Sequence, residues 1–234
     1  QFLNYEGRKI SKRKNWGVFC EKLPQSGLDA DYWRFYLSFL IPETSDADFK
    51  WLEFKEKINN VLIGNIINFF HRSTSLVFNY YQGKVRIKNL KELKKEEKQF
   101  IKKIKEKTKK IDYLMEKVEI REALKEILSL SSLGNQYFDQ KKVWKLVKEN
   151  KKEGEKFLVI FLNLCRNLTV LISPFLPTTG QKMWQKLGLK GRVDQEGNLK
   201  TIEKTFLKSF SILRPEPLFQ RLDDRLIEFL KKTT

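Results

Sequence analysis

The chain is poor in the residues that most enzymes use for covalent or metal chemistry. It has one histidine, His71, so no Ser–His–Asp or Cys–His arrangement can be proposed. Its two cysteines, Cys20 and Cys165, lie far apart, and neither belongs to a Cys-x-x-Cys pair. That excludes the usual structural zinc spacing, so no metal site is expected. A disulfide framework is equally unexpected, which fits a reducing, cytoplasmic setting. Residues 1–15 are polar and basic, without the apolar stretch of a signal peptide. The most apolar run, Phe157 to Ile172, is broken by Asn163, Arg166 and Asn167 and reads as a buried bundle helix, not a membrane span. Glycine is scarce, 11 residues in 234, and no βαβ unit of a nucleotide-binding sheet is visible. Acidic residues are in deficit too: 29 against 47 Lys and Arg, a net charge of +18. Such a field attracts polyanions in a salt-sensitive way. Nucleic acid is therefore the leading partner. An anionic membrane is the weaker one, because no basic amphipathic helix carries an uncommitted apolar face.

What is present is helical periodicity and a core: 41% of residues are hydrophobic. An acidic cap at Asp29 opens a short helix through the aromatic stretch 30–40, which ends before Pro42. From Trp51 to about Tyr80 apolar residues recur at three and four, and Gly83 marks a turn. Further helices are predicted over about 89–108, 119–140 and 154–172, the last ended by Pro174 and Pro177; a fifth is capped by Thr178 or Thr179 and ends near Gly188, and a final one covers about 223–232. Short β-prone pieces in 190–213 predict a small hairpin. The fold class expected is mainly α, an antiparallel helix bundle with a short N-terminal loop and helix linker and a small C-terminal extension. The boundaries expected are 1–48 for the linker, 49–189 for the bundle and 190–234 for an extension packing back on it.

Six segments then stand out in order: Asn4-Tyr5-Glu6-Gly7 with Lys9-Ile10-Ser11-Lys12-Arg13 and Trp16-Gly17-Val18-Phe19; Asp31 to Leu37 with Pro42-Glu43-Thr44 and Asp48-Phe49-Lys50-Trp51; Gly64 to Arg72; Gly134-Asn135-Gln136-Tyr137 with Trp144-Lys145; Pro174-Phe175-Leu176-Pro177; and Pro217-Leu218-Phe219-Gln220. Together they resemble the C-terminal part of methionyl-tRNA synthetase of the archaeal and eukaryotic type, across almost the whole chain. Residues 9–13 are similar to the Lys-Met-Ser-Lys-Ser loop of class I synthetases. The resemblance implies that Lys9 and Lys12 stabilise charge on the phosphates of ATP. It implies that Asn68 and Arg72 hydrogen-bond anticodon bases, and that Trp144 is the platform on which one base stacks. Asn135 and Gln136, about two turns before Trp144 on one helix, and Asn65, one turn before Asn68, line that site or brace it. Without the resemblance, Asn65, Asn68 and Arg72 read as a satisfied polar network and Trp144 as a core plug. His71 reads as structural. The lysines of 84–110 read most simply as a solvated helix face, diluted by Glu92, Glu96, Glu97 and Glu106.

Two departures accompany the resemblance. Arg13 stands where the loop signature ends in Ser, followed by Lys14-Asn15 in place of Arg-Gly. Lys142-Val143 replaces the Glu-Pro that precedes the bundle tryptophan, removing a proline that would fix the turn. The family's His-x-Gly-His needs two histidines, and the chain has one. The expectation is thus a tRNA-binding portion of a ligase, a truncated piece or one subunit of a split enzyme, not catalytically complete alone. Its expected partners are methionine tRNA, read at its CAU anticodon, and a catalytic domain or subunit. No cofactor is expected on this chain alone, and ATP with magnesium in the complete enzyme. The rival expectations are a general RNA-binding helical module, a non-catalytic subunit acting through a protein partner, and a structural assembly protein.

Overall fold

A computed structural model describes every residue except 44, 200, 201, 203, 204 and 234. Thr44 of the second motif segment, and four residues of the 190–213 stretch, thus lie outside the described residues. The chain forms two compact units, Gln1–Gly64 with Phe219–Thr234, and Asn65–Leu218.

In the first unit, β1 (Leu3–Tyr5) lies between β2 (Arg8–Lys9), antiparallel, and β3 (Ala47–Phe49), parallel. Glu6 (φ 47°) and Gly7 (φ 77°) make the two-residue link between β1 and β2, both left-handed as a type I′ turn requires. The Asp48 carboxylate accepts the Gly7 N–H at 2.9 Å. Helix α1 (Ala30–Phe39) starts where the Asp29 side chain accepts the Asp31 N–H at 3.0 Å, the cap its sequence announces. The unit's core is aromatic: Trp33 stacks on Phe54 (4.9 Å) and meets Trp51 edge-on (5.9 Å), with Tyr36 and Phe49 against them. Two side chains grip the returning C-terminal segment. The Tyr32 hydroxyl donates to the Gln220 carbonyl (3.0 Å) and accepts its N–H (2.7 Å), and Asn59 makes the same pair of bonds to Leu222 (2.7 and 2.9 Å). The last helix, Asp224–Thr233, is tied by Asp224 to Lys55 at 2.6 Å.

The long helical stretch after Trp51 is α2 (Trp51–Glu56), a π-helical segment (Lys57–Ile67) and α3 (Asn68–Tyr81). The second unit then runs through β4 (Lys84–Arg86), α4 (Lys95–Glu116), α5 (Ile120–Gln140), α6 (Val143–Glu149), α7 (Lys151–Ile172), α8 (Pro177–Lys186), α9 (Val193–Glu196) and β5 (Ser209–Ser211). It is the expected mainly α-helical bundle. Helix α7 is its axis, buried on all sides from Phe157 to Ile172. No helix among the described residues is long and apolar enough to cross a membrane. Helix α7 carries a polar set at Asn163, Arg166 and Asn167. Asn163 bonds both backbone groups of Leu207 at 2.9 Å, and Arg166 donates to the carbonyls of Ile202 (3.2 Å) and Thr205 (2.5 Å). These bonds satisfy groups that would be costly to bury alone. Gly134 lets α5 approach closely: a Cβ there would sit 2.7 Å from Leu164 and 2.9 Å from Phe69.

Two local expectations are corrected. Among the described residues of 190–213 the strand is β5, and its partner is distant β4, antiparallel with Val85 opposite Phe210, while Gly188 (φ 72°) meets the Ser211 carbonyl so closely that no side chain fits. Trp144 is not on the helix of Asn135 and Gln136. Lys142, in the left-handed conformation (φ 48°, ψ 48°), breaks the path and α6 begins after it.

Candidate nucleic-acid interface

The second unit brings two of the predicted residues, Arg72 and Trp144, together at the meeting of α3, α5 and α6. Arg72, on α3, reaches the end of α5, where one guanidinium N–H donates to Asp139 at 2.5 Å. Its Cζ lies 4.3 Å from the Phe138 ring centre and 5.7 Å from that of Trp144. The Phe138 and Trp144 rings are stacked, 6.1 Å apart and 24° from parallel. The turn at Lys142 makes this possible. Its N–H bonds the Asp139 carbonyl (3.0 Å) and its carbonyl receives the Lys145 N–H (2.8 Å), so α6 starts directly after the turn with Trp144 near its beginning.

The cluster is half in water. The Arg72 side chain is 29% exposed, the Asp139 side chain 56%, and Trp144 38%. Asn68, at the start of α3, and Gln136, on α5, are exposed. An ion pair as open as Arg72–Asp139 contributes only about 0–1 kcal/mol, so Arg72 is able to exchange that carboxylate for another planar partner at little cost. Arg is suited to both tasks there, stacking and forking.

Asn65 and Asn135 are differently placed. Asn65 donates to the Leu128 carbonyl and the Ser132 hydroxyl, each at 3.0 Å. Asn135 donates to the Asn65 backbone carbonyl (3.2 Å), to its side-chain oxygen (3.1 Å) and to the Ser131 carbonyl (3.3 Å). The two amides therefore brace the π-helical segment against α5. Even α-helical spacing puts Asn65, Asn68 and Arg72 on one face, but the π winding runs through Ile67, so that spacing does not carry from 65 to 68. His71 is exposed, with Ser75 Oγ 3.5 Å from its ring nitrogens.

Phe138 and Asp139 escaped the sequence reading. Their one signal was position, immediately after the Gly134–Tyr137 segment.

In the first unit, Lys9 and Lys12 occupy a hairpin. Lys9 ends β2, with its ammonium 5.8 Å from the Phe2 ring centre. Ser11 and Trp16 then exchange backbone bonds (2.8 and 3.0 Å), and the Asn15 N–H bonds the Lys12 carbonyl at 3.0 Å. Lys12, Arg13 and Lys14 are exposed on this turn. Trp16 anchors it from behind by donating to the Tyr5 carbonyl at 3.1 Å, and Arg8 lies over its ring at 5.5 Å. The arrangement presents ammonium groups to solvent from a backbone fixed at its base, which suits an anionic ligand.

Residues 1–74 match the family model of tRNA synthetases class I (M), and residues 88–233 match that of the anticodon binding domain of methionyl tRNA ligase. The chain is 34% identical over 232 residues to a methionine–tRNA ligase of Pyrococcus abyssi, covering 98% of this chain and 31% of that protein. It is also 34% identical over 231 residues to the methionine–tRNA ligase of Borrelia turicatae, covering 99% of this chain and 30% of that protein. The chain thus spans about a third of the length of these relatives. Its fold matches that of Mycobacterium tuberculosis methionyl-tRNA synthetase in complex with methionyl-adenylate, with a TM-score of 0.82, 21% identity, and 94% of this chain and 43% of that chain covered. At that identity the match shows the fold alone. With a single domain model spanning residues 88–233, more than half of the 234, the chain belongs to the methionyl-tRNA ligase family through its anticodon binding domain.

Proposed function

We propose that this chain reads the CAU anticodon of methionine tRNA at the Arg72–Trp144 cluster. In this reading it also contributes the Lys9–Lys12 loop to methionine activation by a catalytic domain. The observation that carries it is the pair of half-exposed side chains Arg72 and Trp144 flanking the buried Phe138 ring, with a solvent-facing carboxylate, Asp139, on the guanidinium. An unpaired anticodon base stacks on the free part of the Trp144 ring, worth roughly 1–3 kcal/mol. Arg72 leaves Asp139 and forks onto the edge of a base, with Asn68 and Gln136 beside it as further donors and acceptors. Asn65 and Asn135 hold the elements that carry these side chains. Phosphate contacts from the +18 field supply affinity without sequence preference.

Lys9 and Lys12 have the chemistry to neutralise phosphate charge as an adenylate forms. ATP and magnesium belong to the complete enzyme, and the partner that completes it is a catalytic domain or subunit. The functional division proposed is 1–48 for the loop and stem-contact linker, 49–189 for the reading bundle and 190–234 for the extension.

The test is binding of a methionine tRNA transcript, and of the same tRNA with an altered anticodon, at two salt concentrations. A preference for CAU that persists at the higher salt is expected. Arg72→Ala and Trp144→Ala should each reduce that preference by about tenfold to a hundredfold, the equivalent of the stacking range above. Equal binding of both RNAs, fading together with salt, would leave only phosphate attraction and overturn anticodon reading. Lys142-Val143 in place of Glu-Pro is the feature that favours that second outcome, a general RNA-binding module.

A further inference from the structure

We infer that the outer face of α4 is a cationic rail for the sugar–phosphate backbone of the RNA whose loop reaches the Arg72–Trp144 cluster. This inference rests on the RNA-reading function proposed above and adds a separate surface to it.

The lysines of α4, Lys103 apart, divide by direction. Lys107 and Lys110, on the side toward α5, both bond Glu126, at 3.0 and 2.6 Å. Lys95, Lys98, Lys102, Lys105 and Lys109 recur at steps of three and four, and all five are exposed. At 3.6 residues per turn they fall within an arc of about 80° and extend along about 21 Å of helix. Among the described residues only Lys102 of the five has a carboxylate partner, Glu106 at 3.7 Å, with both side chains largely in water. The remaining acids of α4 are elsewhere. Glu97 is buried against Lys156, Glu96 bonds Lys141, and Asp112 and Glu116 stand beyond Lys109. The rail is therefore a row of cations about 5 Å apart, fitted to a polymer of regularly spaced charge more than to a single anion.

Its position relates it to the reading cluster. Glu96, in the first turn of α4, bonds Lys141 at 2.5 Å, three residues before Trp144. Phe100 stacks on Tyr137 at 4.0 Å, and Lys107 reaches Glu126. So α4 begins beside the cluster and runs back along α5, away from it. A strand leaving the cluster along the bundle meets these lysines in succession. A lipid surface fits less well. The apolar side of α4, with Phe100, Ile104, Ile111 and Leu114, is buried in the bundle, and of the large apolar side chains on the helix only Tyr113 is exposed.

The experiment replaces Lys95, Lys98, Lys105 and Lys109 together by Gln in the full chain. A control variant carries the same charge loss at Lys84, Lys190, Lys208 and Lys232, exposed residues off the rail. Far-UV circular dichroism and thermal melting check that both remain folded. Affinity for the methionine tRNA transcript and for its altered-anticodon form is measured from low to high KCl. The rail predicts a slope of log K against log[salt] shallower by about 3, from roughly 0.7–0.9 per neutralised phosphate contact. It also predicts at least a tenfold loss of affinity at low salt, an unchanged ratio between the two RNAs, and a smaller change of slope in the control. A slope unchanged to within about half a unit, or an equal change in the control, would overturn it. So would loss of binding to phosphatidylserine vesicles with the tRNA slope intact, which would make the face a lipid contact. A rail variant that loses slope in a parent lacking CAU preference keeps the rail and removes anticodon reading. A retained slope with retained preference does the reverse.

Discussion

Two arginines on helices of the same bundle have opposite uses. Arg72 and Arg166 each sit in an apolar helix with an asparagine close before, Asn68 and Asn163. Arg166 is buried, and its guanidinium and the Asn163 amide are occupied by the backbone of Ile202, Thr205 and Leu207. Burial pulls its pKa down to about 10. Arg72 stands at the edge of the bundle with two aromatic faces and one exposed carboxylate. The first is a fixed clamp; the second is a group in reserve. Residue type and local spacing are nearly the same in the two regions. What differs is whether a chain segment from elsewhere covers them.

The largest effect expected is at the clamp. Arg166→Ala leaves the carbonyls of Ile202 and Thr205 without their donor and should destabilise the fold by about 3 kcal/mol, from the cost of buried unsatisfied groups. Urea denaturation measures it, and tRNA preference in the folded fraction should not change. A loss of preference with little loss of stability would erase the distinction between the two arginines.

The next effect separates two asparagines. Asn135→Ala removes bonds that join α5 to the π-helical segment, and should reduce stability by roughly 1–2 kcal/mol while CAU preference persists. Asn68→Ala, at an exposed position, should do the reverse: a change in Tm of a degree or two at most, with several-fold weaker discrimination among anticodons. If Asn135→Ala abolished preference at unchanged stability, the brace would itself be part of the reading surface.

The smallest effect is on acid stability. Glu126 is held below its ordinary value of 4.5, chiefly by the hydrogen bond from Lys110 and then by that from Lys107. A carboxylate with a lowered folded pKa stabilises the fold fully above its unfolded pKa. That contribution fades as pH falls from about 4.5 through the lower folded value. Glu126→Gln should therefore flatten the decline in Tm below about pH 4.5 slightly, without affecting RNA binding at neutral pH. A steeper decline in the variant would contradict the stabilising sign.

Much of the helical frame is legible in the sequence, for a physical reason. Stretches such as 119–140 and 154–172 bury one stripe or all sides of a helix, and apolar spacing records that directly. Helix α6 is not legible, because seven residues give too little periodicity and its start depends on the left-handed backbone at Lys142. The pairing of β5 with β4 is also hidden, since it joins segments distant in sequence. At the candidate site, motif order pointed to Arg72 and Trp144. It did not distinguish Asn65 and Asn135, which bond each other, from Asn68 and Gln136, which face solvent. Nor did it give Asp139 or Phe138 any role.

By itself the sequence determined the helical class, the +18 field, the family, and the residue types able to meet RNA. Those follow from composition, from periodicity and from motif order, all properties of neighbours along the chain. Only the tertiary structure decided which polar side chains are already satisfied and which remain open. Hydrogen bonds and desolvation depend on what is packed against a group, and here the deciding partners come from helices and segments far away in sequence.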